Sequence, residues 1–187
     1  MQDRKAELLE VYLQPGEMFL SREPTIIRTL LGSCIGVAFW SKTLSIGALC
    51  HALLPRCPED SFPERHPESG YRYVDFAIRD LARRFDQMGA RRSEVKVKVF
   101  GGADVLLGDG EPPARATVGS LNCDAALEVL RDEGLEVVAS SLRGKTGLNI
   151  HFNTGNGEVR LCRLIQTSGF APLRGGTRGC TPELVKE

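Results

Sequence analysis

The sequence has no apolar run of the roughly 18 residues or more that a membrane-spanning helix requires. Its first residues, Met1 to Glu10, carry Asp3, Arg4, Lys5, Glu7 and Glu10 where a secretory leader would have an apolar core. It is therefore expected to stay in the cytoplasm, with no direct membrane insertion. It also lacks an excess of charge of either sign: 24 Lys and Arg balance 24 Asp and Glu. Without a global field there is no reason to expect nucleic acid as a partner, and a small polar group or another protein is the better substrate class. No two of the six cysteines (Cys34, Cys50, Cys57, Cys123, Cys162 and Cys180) are separated by only two residues. That spacing excludes a zinc knuckle and a thioredoxin-type redox pair, and a reducing compartment argues against a disulfide framework. Most of these cysteines are expected to act as small buried hydrophobes.

Cofactor motifs are missing too. Gly144-Lys145-Thr146 ends like a phosphate-binding loop, but Ala139 stands where that loop needs its first glycine. Gly101-Gly102 follows a strand without a dinucleotide fingerprint behind it, and reads as a tight turn allowing close backbone approach. His66 and His151 have no clustered carboxylates or cysteines beside them in sequence. No metal and no cofactor are expected.

What is present is the length and apolar content of one globular domain: 187 residues, 42% hydrophobic, undivided by repeats or a long linker. Strands are predicted at Thr25–Leu31, Ile35–Trp40, Leu44–Leu54, Val95–Phe100, Leu135–Ser140, Asn149–Asn153 and Glu158–Ile165. The segment Leu8–Phe19 mixes short apolar runs with a Pro15-Gly16 turn. Helical periodicity over Tyr71–Met88 places Val74, Ile78, Leu81 and Phe85 on one face, and a second amphipathic helix fits Asp124–Glu133. Cys57–Gly70 is polar and proline-bearing, a predicted loop. Val95–Phe100 alternates Val with Lys, the pattern of a half-buried strand. The order predicts a single-domain layered α/β sandwich with mixed or antiparallel sheets and two main helices. Residues 1–168 form the domain, and residues 169–187, rich in Gly, Pro and Arg, form a flexible tail.

One pair of residues stands out as chemistry. If Lys42 and Thr43 make a two-residue turn, Ser41 faces Leu44 and the same ladder sets Cys34 opposite His51. Opposed residues share a face with β-carbons about 4.5–5.5 Å apart. A free thiol has a pKa of about 8.5 and is a weak nucleophile until a base takes its proton. An adjacent imidazole can do so, giving a thiolate–imidazolium pair. Attack on a side-chain amide then creates an oxyanion, which needs fixed N–H donors. The small-residue bend Gly32-Ser33-Cys34 can supply them. A lone buried Cys or His is more often packing than catalysis, and spacing alone leaves both readings open.

The blocks Thr29-Leu30-Leu31-Gly32-Ser33-Cys34 and Gly47-Ala48-Leu49-Cys50-His51-Ala52-Leu53-Leu54-Pro55 resemble the chemoreceptor glutamine deamidase (CheD) family. The likeness continues at Tyr73–Ile78 and Phe100–Ala103, more faintly at Gly119–Asn122 and Gly144–Gly147, and spans about residues 8 to 165. It implies Cys34 as nucleophile, His51 as general base and acid, and Thr29 as the third member that orients the imidazole. Gly32 and Ser33 would support the oxyanion, with Gly101 and Gly102 adjacent to the site. The fold implied resembles the catalytic domain of cytotoxic necrotizing factor toxins. The implied substrates are glutamines of chemoreceptor signalling domains, hydrolysed through a cysteine thioester. Some members pair with a CheC-type phosphatase, and some hydrolyse receptor glutamate methyl esters. A non-catalytic module regulating that phosphatase is therefore the alternative reading, with methylesterase activity a third. The sequence departs from the family's Asp-x-Gly-Gly block near the end, where Ser141-Leu142-Arg143-Gly144 stands. Arg79, Arg83, Arg84, Arg91 and Arg92 are expected to be a solvated face, or alternatively a guide for docking on acidic receptor helices.

Overall fold

The structure, a computed structural model, describes residues 8–58, 67–104, 116–164 and 181–186. In chain order the described strands are β1 (Leu9–Tyr12), β2 (Met18–Ser21), β3 (Thr25–Leu31), β4 (Ile35–Ser41) and β5 (Ile46–Ala52). A single helical turn α1 (Pro67–Gly70) and the helix α2 (Val74–Gln87) precede β6 (Val95–Gly101), and the helix α3 (Val118–Asp132) follows it. The chain continues as β7 (Val137–Leu142), β8 (Leu148–Asn153), β9 (Val159–Arg163) and β10 (Glu183–Leu184). The strands make two mixed sheets, ordered β1-β3-β8-β9-β10 and β2-β5-β4-β6-β7. β1 lies parallel to β3 and β6 parallel to β7, while the other pairs are antiparallel. This is the expected layered α/β sandwich with two main helices.

Alternation along the strands sets the layers. In β3 the residues Thr25, Ile27, Thr29 and Leu31 are buried and the ones between them half-buried, so one face of the first sheet packs inward. Ile27, Leu31, Ile150 and Phe152 meet Ala38, Leu49 and Phe100 of the second sheet in one apolar layer. The opposite face of the second sheet carries Ile35, Val37, Phe39, Ala48, Cys50, Val97 and Val99. These pack against Val74, Ile78, Leu81 and Phe85 of α2 and against Cys123, Ala126, Val129 and Leu130 of α3. The second sheet is thus covered on both sides, and β5 is buried at every residue. That explains why the Val-Lys alternation of β6 does not mark a half-exposed strand. Lys96 is exposed, but Lys98 is buried, with Nζ donating to the Gly157 carbonyl at 3.1 Å.

Three boundaries differ from expectation. The β4–β5 connection has four residues, Lys42 to Ser45, and pairs Ser41 with Ile46 and Gly36 with His51. Lys-Thr cannot supply the positive φ that two-residue hairpin turns demand. The longer loop needs it only at Ser45, where φ is 51°. The ladder is therefore shifted by two residues, and Cys34 is not opposite His51. The second helix begins six residues earlier than its apolar periodicity indicates, because Thr117 caps it by accepting a hydrogen bond from the Ser120 N–H at 3.1 Å. Of the segment 169–187, only 181–186 is among the described residues; there Glu183–Leu184 pair with β9. Cys162, at 1% exposure, is disulfide-bonded and so is not one of the free buried cysteines. The arginine cluster is paired internally: Arg79 with Asp75 and Glu133, Arg83 and Arg84 with Asp80, Arg91 with Glu94, and Arg92 with Asp86 and Glu133.

The two sheets approach closely at Gly47, where an added β-carbon would lie 2.7 Å from the Thr154 Cα and Cβ. Gly47→Ala is expected to lower stability by about 1–3 kcal/mol through overpacking. The urea midpoint measures this; no change would mean that the chain after β8 gives way without cost.

Candidate active site

β3 and β5 belong to different sheets, and their inward faces bring Thr29 against His51. The Thr29 Oγ1 lies 2.7 Å from the His51 Nδ1 and donates to the Leu13 carbonyl at 2.8 Å. A hydroxyl has one proton to donate. With that proton directed at Leu13, the Thr29 oxygen can only accept from the imidazole, so Nδ1 carries the hydrogen and Nε2 is a bare acceptor. Nε2 is buried and has no hydrogen-bond partner among the described residues. The backbone of His51 is held as well: its N–H donates to the Glu17 carbonyl at 2.9 Å, and its carbonyl accepts from the Gly16 N–H at 2.7 Å. The Pro15-Gly16 turn thus fixes the histidine strand from outside while Thr29 fixes the ring from within.

Cys34 lies in the bend between β3 and β4, partly exposed, whereas the free Cys50, Cys57 and Cys123 are buried. It sits two residues before Gly36, the residue that faces His51. Cys34 precedes the first ladder pair, Ile35 with Ala52, and packs against the apolar layer between the two sheets. Gly36 places no side chain opposite His51. The bend is pinned by backbone bonds: the Gly102 N–H donates to the Cys34 carbonyl and the Ala103 N–H to the Gly32 carbonyl, both at 2.8 Å. Gly101, at φ 105°, packs so closely that any β-carbon there would collide with the Cys34 carbonyl. Gly101 and Gly102 therefore shape the bend through their backbones. Ser33 contributes its carbonyl, which accepts from the Asn122 Nδ2 at 2.9 Å.

Burial shapes the ionisation of the pair. It pushes the Cys34 thiol up, opposed by the residue's own backbone N–H, which favours the thiolate. Burial also pulls His51 down to about 4, opposed by the Leu13 carbonyl and the charge of Glu17. Both effects favour neutral groups. Burial thus works against the thiolate–imidazolium ion pair expected from the chemistry alone.

The structure thus brings together Thr29 and His51 by a direct hydrogen bond and gathers Gly32, Ser33, Cys34, Gly101 and Gly102 into one bend. His151 stands apart on β8, opposite Arg28, and His66 lies outside the described residues. Among the described residues no three His, Cys, Asp or Glu side chains converge to hold a metal ion. Two contributors escaped the sequence reading. Leu13 acts through a carbonyl, which no side-chain pattern reveals. Asn122 left a faint signal, a polar residue on the otherwise apolar face of α3. The altered block near the end also gains a physical reading: Arg143 has φ 63°, a left-handed conformation suited to the missing glycine. Its side chain pairs with Asp124 at 2.7 Å.

Comparison with known proteins adds an independent line. Residues 53–163 match the family model described as CheD chemotactic sensory transduction. A Geobacter sulfurreducens protein named probable chemoreceptor glutamine deamidase CheD 2 is 40% identical over 167 residues, which cover 89% of this chain and 98% of that protein. A Maridesulfovibrio salexigens protein named probable chemoreceptor glutamine deamidase CheD is 34% identical, covering 88% and 97%. Among solved structures, the hypothetical protein YfiH of Bacillus licheniformis overlaps with a TM-score of 0.44 at 9% identity, covering 67% of this chain and 50% of that one.

Two outcomes follow from this burial. His51 binds its proton less readily in the folded than in the unfolded chain, so its contribution to stability is complete above about 6.5 and is lost as pH falls toward about 4. His51→Gln should flatten the decline of the urea midpoint over that window; an unchanged pH profile would mean that the ring is not held neutral. Alkylation of Cys34 by iodoacetamide, followed by peptide mass mapping, should accelerate with pH through the ordinary thiol range and beyond. A reactive plateau reaching down to acidic pH would instead reveal a standing ion pair.

Proposed function

Because the chain belongs to the CheD chemotactic sensory transduction family, we propose that it hydrolyses glutamine side chains of chemoreceptor signalling domains to glutamate, with Cys34 as nucleophile. The observation that carries this reading is the bare, buried Nε2 of His51, whose opposite nitrogen is committed to Thr29. An unpartnered acceptor in a closed apolar setting costs about 1–3 kcal/mol. A general base that must take a thiol proton gives that arrangement a purpose.

The Cys34 Sγ attacks the glutamine carbonyl carbon as its proton passes to the His51 Nε2. The carbonyl π pair moves to oxygen, and the resulting oxyanion is stabilised by the Cys34 N–H of the bend. The oxyanion collapses, the C–N bond breaks, and the imidazolium returns its proton to the departing nitrogen, releasing ammonia and leaving a thioester. Water then attacks the thioester, giving its proton to Nε2, and the freed thiolate is reprotonated from the imidazolium. The product is glutamate. Thr29 keeps Nδ1 protonated throughout, so the same nitrogen serves as base and acid. The Leu13 carbonyl and Glu17, which favour the charged ring, support the imidazolium that forms in passing.

This activity belongs to the cytoplasm, where receptor signalling domains lie. Among the described residues no helix is long and apolar enough to cross a membrane. A CheC-type phosphatase is the regulatory partner proposed from the family.

Wild-type protein incubated with a purified receptor signalling domain is expected to produce glutamate at specific glutamines, read by peptide mass spectrometry. Cys34→Ala and His51→Ala should be folded and inactive, and Thr29→Val should retain a reduced rate. Persistent deamidation by Cys34→Ala would refute the thioester route. Tight phosphatase binding without receptor modification by wild type would favour a regulatory module instead.

A further inference from the structure

Asn122 lies in the second turn of α3 at 0% exposure, on the helix face that also carries Cys123, Ala125, Ala126, Val129 and Leu130. A buried amide on an apolar face is costly unless it is hydrogen-bonded. Its Nδ2 donates to two backbone carbonyls, Ser33 and Leu53, each at 2.9 Å. Both partners are acceptors, so the amide can be oriented only with its nitrogen toward them. The two carbonyls belong to different segments: one immediately precedes Cys34, and the other lies two residues beyond His51. Its Oδ1 is buried without a partner among the described residues, so the side chain gives up one bond to make both of these.

The Ser33–Cys34 peptide is planar and trans, so its carbonyl and its N–H point in opposite directions. Holding the Ser33 carbonyl against α3 turns the Cys34 N–H away from the helix. We infer that Asn122 is a positioning residue for the reaction: clamping Ser33 and Leu53 fixes the Cys34 N–H as the oxyanion donor and sets the bend of the nucleophile against the strand of the base. The inference rests on the proposed roles of Cys34 and His51. The substrate never touches Asn122, which acts through the Ser33–Cys34 peptide.

The test compares Asn122→Ala and Asn122→Asp with wild type and Cys34→Ala on the receptor signalling domain. The aspartate keeps the volume of asparagine but presents only acceptors to two carbonyls. The kcat is expected to fall on the order of 10²-fold, as for loss of an oxyanion donor, with KM nearly unchanged. Alkylation of Cys34 by iodoacetamide forms no oxyanion and should slow far less than kcat. If Asn122→Ala does not fold, Asn122→Ser, which retains one donor, should fold and give an intermediate kcat. A folded Asn122 variant with wild-type kcat would overturn the inference, as would equal losses in kcat and alkylation. Deamidation surviving in Cys34→Ala would instead remove the underlying reading, and with it the role of Asn122. Cys34→Ala inactive beside fully active Asn122 variants would remove the role of Asn122 alone.

Discussion

The hydrogen bond between Thr29 and His51 joins the two sheets at the place where the chemistry is proposed, and much of the architecture is arranged so that it can form. Thr29 reaches the imidazole only because β3 turns every second residue inward and β5 faces it across the inter-sheet layer. The direction of the bond is set one step further out, by the Leu13 carbonyl, which takes the only proton of the hydroxyl. Leu13 follows β1 directly, and its N–H pairs with the Arg28 carbonyl of β3, so the parallel pairing of β1 with β3 places the acceptor. A tautomer is thus decided by the register of a sheet.

The bend that carries Cys34 depends on contacts of another kind. Gly101 and Gly102 approach it with bare backbone, Ala103 closes it with an N–H, and Asn122 holds it from the helix side. Helix, sheet edge and bend become one rigid unit, and burial disfavours the charge of the thiol and of the base alike. Neutral groups in an apolar layer are cheap to hold. The local groups that oppose the burial, the Cys34 N–H as donor and the Leu13 carbonyl as acceptor, favour the charged forms.

The arginines around α2 illustrate how tertiary context decides the meaning of a charge cluster. In sequence they form a basic stretch; in the fold each finds a carboxylate of the same chain, several on α2 itself at helical spacing. The Asp75 and Asp80 carboxylates are buried while their arginine partners reach into solvent. The result is a neutralised surface, which removes the field that a docking guide would require. Arg143 is different in kind: it occupies a left-handed backbone position and pairs with Asp124 on α3, tying the β7–β8 connection to the helix that bears Asn122.

By itself the sequence determined the layered fold class, the strands β3, β4, β5, β6, β8 and β9 and the helix α2, because periodicity is local and survives without neighbours; through short motifs it marked Cys34, His51 and Thr29 as candidate site residues. It did not determine how Cys34 and His51 meet. A two-residue turn gave the wrong ladder, since loop length depends on which residue can take a positive φ, and Ser45 rather than Lys-Thr does so. It could not reveal the Leu13 carbonyl, which is invisible in any side-chain pattern, or the bridge from Asn122 to two loops 69 and 89 residues away. Only the tertiary structure decided which way the ionisation of the pair is shifted, because desolvation is a property of what surrounds a group and not of the group's place in the chain.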